Sequence, residues 1–244
     1  MWAPGAYISP RNEVSITFDD GPHREHTREV LDILKNKRVH ATFFVIGNRI
    51  SINKDILRRE LSDWHTIWNH SYSHTLFKKL SLLRIAQEII GTDYRIFLTT
   101  GTIPDYFRFP YGVEDSRVGY FHSGPIIGWS VDAYDWKARN PKLLAKNIIH
   151  QTKSGSIILL HDIKADTVAA LPDIIDGIRA KWYTIVPLRQ LLQIPLLSNT
   201  RNIVYRNQKN RMQISVKIES HHIPITESII TPQETKIITK MGSW

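Results

Sequence analysis

Two adjacent carboxylates, Asp19 and Asp20, close the stretch Val14 to Pro22, which reads Val-Ser-Ile-Thr-Phe-Asp-Asp-Gly-Pro. Neighbouring side chains on an extended backbone point apart, so one acid can hold a cation while the other handles a proton. Taken alone, Asp-Asp-Gly is also an ordinary turn signal. His70 and His74 are four apart, a spacing that brings two imidazoles near one metal ion on a helix or in a tight loop. With 11 His in the chain, that spacing carries little weight by itself. Joined to the acidic pair it carries more. Two His and one Asp leave coordination positions open for water and substrate, as a catalytic zinc site requires. A closed structural zinc site would want a fourth protein ligand, and the chain has no Cys to supply it.

Three more residues could do chemistry, and each has a plainer alternative. His161 follows four apolar residues. It is either a general acid with a suitable titration range or a strand-end His bonded to its neighbour Asp162. Arg108 can hold a carboxylate in its ionised form through charge-assisted hydrogen bonds, or it is a surface cation. Trp136 can stack on a sugar face at a rim, or simply pack.

These residues need elements to position them. The β-branched alternation of Val14 to Phe18 reads as a strand that Gly21 and Pro22 end. An amphipathic helix is expected over 23–37, with Val30, Leu31, Ile33 and Leu34 on its apolar side. The continuous apolar run Ala41 to Ile46, closed by Gly47, has the pattern of a buried parallel strand. Further helices are expected over 51–62, 80–98, 141–152 and 167–181. Further strands are expected at His65 to Trp68, Tyr106 to Phe109, Ile126 to Val131, Ser156 to Leu160 and Tyr183 to Val186. About seven strands alternating with helices predict a parallel sheet covered by helices. Nearly every polar cluster directly follows a strand, and in a parallel α/β barrel those positions converge at the C-terminal rim, where barrel enzymes work.

Composition bounds the reading. A chain of 244 residues, 42% hydrophobic and 23% charged, is ordinary for a globular protein. No run approaches a membrane span, so no transmembrane segment is expected. The opening Met1-Trp2-Ala3-Pro4-Gly5 shows no basic region followed by an apolar one, so no signal peptide is expected there. Net charge is +9, with the densest basic stretch at Arg201 to Arg211. No long Lys/Arg run accompanies it, so the charge is read as a general bias toward anionic partners, without nucleic-acid binding. Beyond about Leu196 the alternation stops. Ile203 and Tyr205, then Met212, Ile214, Val216 and Ile218, alternate with polar residues, and 207–210 could turn a hairpin. The chain is therefore divided into residues 1–195 and a C-terminal extension, 196–244, expected to be a β hairpin or partly disordered.

The set of motifs carries a family resemblance. Thr17 to Pro22, His70-Ser71-Tyr72-Ser73-His74, Arg108-Phe109-Pro110-Tyr111-Gly112, Asp132-Ala133-Tyr134-Asp135-Trp136 and Leu159-Leu160-His161-Asp162 resemble, in order, the five motifs of the polysaccharide deacetylases of carbohydrate esterase family 4. The resemblance implies a distorted (β/α) barrel and hydrolysis of acetyl groups on a polysaccharide, with the protein secreted or in the cell envelope. It makes Asp20, His70 and His74 the ligands of a divalent metal, most often zinc, with cobalt or another first-row ion as alternatives. Asp19 would be the base and Arg108 the residue that orients it. His161 would be the acid that protonates the departing amine, tethered by Asp135. Tyr111 would stabilise the oxyanion through its backbone N–H, and Leu159 and Trp136 would line the acetyl pocket and groove. The expected activity is metal-dependent removal of N-acetyl groups from peptidoglycan or chitin-type chains. A catalytically silent carbohydrate-binding protein and an O-acetyl xylan esterase are the alternatives. The chain departs from the family at Arg38, Trp64, Trp68 and Trp182, where Gly is usual. Trp68, beside Asn69 and His70, is expected to narrow the site.

Overall fold

The structure, a computed structural model, describes residues 12–193 and the backbone of Ile203–Tyr205 and Arg211–Gln213. Strand β1 (Glu13–Asp19) is buried along its length and runs through the middle of the sheet. It is followed by α1 (His26–Lys37), β2 (Thr42–Val45), α2 (Gly47–Ile50), α3 (Lys54–Ser62), β3 (Thr66–Asn69) and α4 (Leu82–Thr100). Then come β4 (Ile126–Ile127), β5 (Val131–Asp132), α5 (Pro141–Gln151), β6 (Ile157–His161), α6 (Ala165–Ala180), β7 (Thr184–Ile185), α7 (Leu188–Leu192), β8 (Ile203–Tyr205) and β9 (Arg211–Gln213).

The strand order β3-β2-β1-β6-β5 is parallel throughout, with β7 paired to the start of β1. This is the expected α/β architecture. Beyond β3, Phe107 bridges to Asn69 on one side and to Ile126 on the other, and β4 pairs parallel with β8. Among the described residues no pairing joins β4 to β5.

The two-residue period of the strands separates two cores. Val14, Ile16, Phe18, Phe43, Val45, Ile158 and Leu160 face the helices α1, α5 and α6. Phe44, Trp68, Tyr106, Ile127 and Ile157 pack together on the opposite, inner side, with Leu188, Leu191 and Leu192 of α7. Ser15, Thr17 and Asp19 alternate with the outward residues of β1, so the Asp19 end of the strand opens from this inner side.

Three expected elements differ. The strand expected over Tyr106 to Phe109 reduces to bridges at Phe107. The strand expected over Ile126 to Val131 is split. The Gly128 carbonyl turns inward to accept from Arg108 Nη2 (3.0 Å), and Ser130 N–H donates to Ile157 O (3.0 Å), so β5 starts afresh against β6. The helix expected over 51–62 is α3, which starts only at Lys54, and a separate short helix, α2, precedes it at Gly47–Ile50. In the tail, β8 and β9 pair antiparallel with Ile203 opposite Gln213. The expected turn at 207–210 and the rest of the extension lie outside the described residues.

Three of the four positions where Gly was expected share one backbone motif. Arg38, Trp64 and Trp182 have φ of 51°, 66° and 63°, in the left-handed region. Each follows a helix and closes it identically. The next residue's N–H reaches back five residues, from Val39 to Leu34 O (2.9 Å), His65 to Glu60 O (2.9 Å) and Tyr183 to Ile178 O (3.3 Å). The left-handed residue itself bonds three back, to Lys35, Leu61 and Arg179. This is the Schellman arrangement, in which Gly is favoured. A side chain there costs about 1 kcal/mol.

Trp68 is different. It lies within β3, 1% exposed, with its ring against Tyr106 (4.1 Å between centroids) and Phe44 (5.4 Å). It fills the inner core and needs no left-handed backbone.

Candidate active site

The C-terminal ends of β1, β3 and β6 meet at one rim. The pairing of β1 with β6 sets Asp19 opposite His161. The expected metal ligands converge there. Asp20, His70 and His74 each present a ligand atom, all within 4.8 Å of one another. Asp20 leaves the strand with φ of 74°, which turns its carboxylate away from that of Asp19. Asp20 Oδ1 is buried without a hydrogen bond, 3.6 Å from His70 Nε2 and 3.2 Å from His74 Nε2. His70 Nδ1 lies 2.9 Å from the Arg108 carbonyl, which makes Nδ1 the protonated nitrogen and leaves Nε2 with its lone pair toward Asp20. Burial, against the pull of Asp20, lowers the His70 pKa to about 3, so the ring is neutral and able to ligate. An orphaned carboxylate oxygen facing two imidazole nitrogens fits a divalent cation that accepts N and O donors.

Asp19 is held from below. Its Oδ1 accepts from Arg108 Nη1 at 2.7 Å, and its Oδ2 lies 3.6 Å from His70 Nε2. Arg108 is 0% exposed. It also donates to Thr17 Oγ1 (2.8 Å), Ile127 O (3.1 Å) and Gly128 O (3.0 Å), and its guanidinium lies 4.0 Å from the Phe44 ring centre. Burial raises the Asp19 pKa, and Arg108 opposes that rise. A carboxylate raised above its usual range by burial, yet kept in place by a guanidinium, suits a base.

His161 is tethered to Asp135 and not to its sequence neighbour Asp162. Its backbone N–H donates to Asp135 Oδ2 (2.7 Å) and its Nδ1–H to Asp135 Oδ1 (2.6 Å). Thr167 Oγ1 fixes the same carboxylate from α6 at 2.6 Å. Burial lowers the His161 pKa, but the hydrogen bond and charge of Asp135 outweigh it and raise it to about 9. Near neutral pH this imidazole carries a proton to give. Asp162 points the other way. Its Oδ2 accepts from Thr27 Oγ1 (2.5 Å), and its carboxylate fills the space where a Gly21 side chain would stand.

Tyr111 occupies a turn with φ of 60° at the same rim, its ring edge-on to His74 with 4.5 Å between centroids. Leu159 shares the inner face of β6 with His161 by the strand period and is buried. Trp136 is half exposed, with Lys137 Nζ 5.1 Å from its ring centre.

The family model for polysaccharide deacetylases matches residues 7–122. A peptidoglycan-N-acetylglucosamine deacetylase of Bacillus cereus is 33% identical over 197 residues, covering 77% of this chain and 72% of the relative. The chain belongs to the polysaccharide deacetylase family. The PgdA peptidoglycan-N-acetylglucosamine deacetylase of Listeria monocytogenes is 36% identical over 73% of this chain, but the match spans only 38% of that relative's length. Among solved structures, a family 4 acetyl xylan esterase from Clostridium thermocellum, in complex with a cobalt ion, superposes with a TM-score of 0.76 at 31% identity, over 81% of this chain and 99% of that one.

Sequence reasoning about this polysaccharide deacetylase chain missed the residues behind the His pair. Glu88 of α4 accepts from Tyr72 N–H (2.9 Å), Ser73 N–H (2.7 Å) and Ser73 Oγ (2.5 Å), all between His70 and His74. Asn69 Oδ1 accepts from Ser71 N–H (2.7 Å), its Nδ2 donates to Asp93 (2.6 Å), and Ser71 Oγ accepts from His74 N–H (3.0 Å). From the other side, Gly47 and Asn48 at the start of α2 donate to the Ser71 and Tyr72 carbonyls (3.0 Å each). A signal was present. Glu88 falls on the buried stripe of α4 with Ile85, Ile89, Thr92 and Ile96, where an acid needs a partner.

Proposed function

We propose that the chain is a metal-dependent hydrolase that removes N-acetyl groups from an N-acetylglucosamine-containing wall polysaccharide, outside the cytoplasm or in the envelope. The observation that carries the reading is the gathering of three functional units at one rim: Asp20 with His70 and His74, Asp19 on Arg108, and His161 on Asp135. Asp20, His70 and His74 would hold a divalent ion, with zinc first and cobalt or another first-row ion next. Bound there, the ion would polarise the acetyl carbonyl and lower the pKa of water. Asp19 takes the proton of the attacking water, and Arg108 fixes its orientation from beneath. His161, held protonated by Asp135, gives its proton to the departing sugar amine. Tyr111 lies beside His74, where its backbone N–H can meet the developing oxyanion. Leu159 and Trp136 border the acetyl group and the sugar chain.

Named relatives act on peptidoglycan, and one of the relatives is a chitooligosaccharide deacetylase of a Bradyrhizobium strain. The net charge of +9 favours the anionic wall polymer between these two. The test is acetate release from N-acetylglucosamine oligomers and from peptidoglycan, with and without a chelator. Release abolished by the chelator and restored by zinc or cobalt supports the reading. Glycan binding without any acetate release would leave a silent carbohydrate-binding protein in its place.

A further inference from the structure

The end of the parallel sheet opposite the candidate active site carries a second feature. Arg38, Trp64 and Trp182 precede β2, β3 and β7, so all three stand at the N-terminal ends of strands. Trp64 is 79% exposed and Trp182 is 86% exposed. Neither indole buries enough surface on this chain to offset a left-handed backbone, and the same backbone conformation recurs at Arg38. Contacts place the three side by side. Lys35 Nζ lies 3.9 Å from Asp63 Oδ1, which joins the end of α1 to the end of α3, beside Trp64. Arg179 Nη2 donates to Lys37 O at 2.7 Å, which joins the end of α6, beside Trp182, to the same end of α1. Arg38 therefore stands between the two indoles. Lys153 and Lys181 lie at the same end; among the described residues neither they nor Arg38 form a salt bridge, although Lys181 Nζ donates to the Ile149 (2.7 Å) and Thr152 (3.2 Å) carbonyls.

We propose that this face docks on an anionic lipid bilayer, with Trp64 and Trp182 entering the headgroup region and Arg38 meeting lipid phosphate. The shape of the feature selects this occupant. A sugar-stacking platform presents one ring face and rests the other on protein, whereas rings this exposed are unsupported on both faces. Such pegs suit a soft interface, where the amphipathic indole is at home. Beside them Arg38 and Lys153, cations that form no salt bridge among the described residues, match the negative surface of a bilayer containing anionic lipid. Docked this way, the strand ends bearing Asp19 and His161 face away from the membrane. The inference is independent of the chemistry assigned to that other end.

The test uses the full chain and vesicles of phosphatidylcholine with and without phosphatidylglycerol. Co-sedimentation should require phosphatidylglycerol and weaken with salt. Arg38→Gly should reduce partitioning roughly fivefold, and the double variant Trp64→Gly, Trp182→Gly should reduce it further. Because Gly relieves the left-handed strain, both variants should unfold at an equal or higher temperature than the parent. Acetate release from a soluble oligosaccharide should not change. Absence of binding by the parent chain would overturn the proposal, as would unchanged binding by the double variant. Retention on insoluble peptidoglycan that falls in the same variants, with no vesicle binding, would also overturn it and assign the face to the glycan.

Discussion

Replacing Glu88 by Ala probes whether α4 holds the loop between His70 and His74, the proposed metal ligands. The carboxylate accepts three hydrogen bonds, at 2.9, 2.7 and 2.5 Å, from Tyr72 and Ser73. Bonds to a charged acceptor contribute about 1.5–3 kcal/mol each. Ser73 is exposed, so water replaces its two in the variant, and the Tyr72 N–H is left as the main loss. A stability loss of about 2 kcal/mol follows. The effect on metal is larger in relative terms. Without Glu88 the loop at Ser71 and His74, both with positive φ, is free to relax and swing His74 from Asp20. Outer-shell partners of metal ligands typically account for about 10–100-fold in affinity, and a loss in that range is expected. The assay is titration of the metal-free protein with zinc against a chromophoric chelator, with the cobalt absorption spectrum as a report of geometry. Glu88→Gln keeps an acceptor oxygen and should recover most of the affinity. Unchanged metal affinity and an unchanged cobalt spectrum in Glu88→Ala, alongside the lower melting temperature, would show that the clamp serves the fold alone.

Other expectations are as specific. Asp19→Asn should abolish acetate release while metal stays bound, whereas Asp20→Ala and His74→Ala should lose the metal, as elemental analysis of the purified proteins would show. The His161 pKa is raised from 6.5 to about 9, so its contribution to stability is fully present below pH 6.5 and is lost as pH climbs through about 9. Asp135→Asn removes the anion that raises it and should draw both that loss and the alkaline limb of activity toward neutral pH, measurable by melting curves and rate profiles across pH. Gly21→Ala would drive a methyl group into the buried Asp162 carboxylate. A loss of about 1–3 kcal/mol is expected by chemical denaturation, with none if the turn can slide aside.

Much of this was legible along the chain. The alternation of apolar strands with amphipathic helices located β1, β2, β3 and β6, and the polar residues just after them met at one rim. Periodicity failed where tertiary hydrogen bonds override it. Gly128 and Ser130 interrupt one apolar run because Arg108 and Ile157 claim their backbone groups. The partner of His161 was ambiguous between Asp135 and Asp162, since only the turn after β6 decides which carboxylate faces the ring. Glu88 lies 14 residues beyond His74, and no local pattern says that its carboxylate turns back to that loop. The unusual bulky residues split by backbone. Arg38, Trp64 and Trp182 stand where Gly is favoured, while Trp68 is an ordinary strand residue that fills space.

The way Arg108 is held has a consequence for the tail. Its Nε donates to the carbonyl of Ile127, and Ile127 belongs to β4, whose pairing partner is β8. A segment far along the polypeptide is thus stitched to the strand that steadies the guanidinium under Asp19. Cutting the chain ahead of Ile203 would leave β4 with a free edge, and the slack would be felt first in the placement of the Asp19 carboxylate. Length at the far end of the molecule and precision at the rim are, in this protein, mechanically joined.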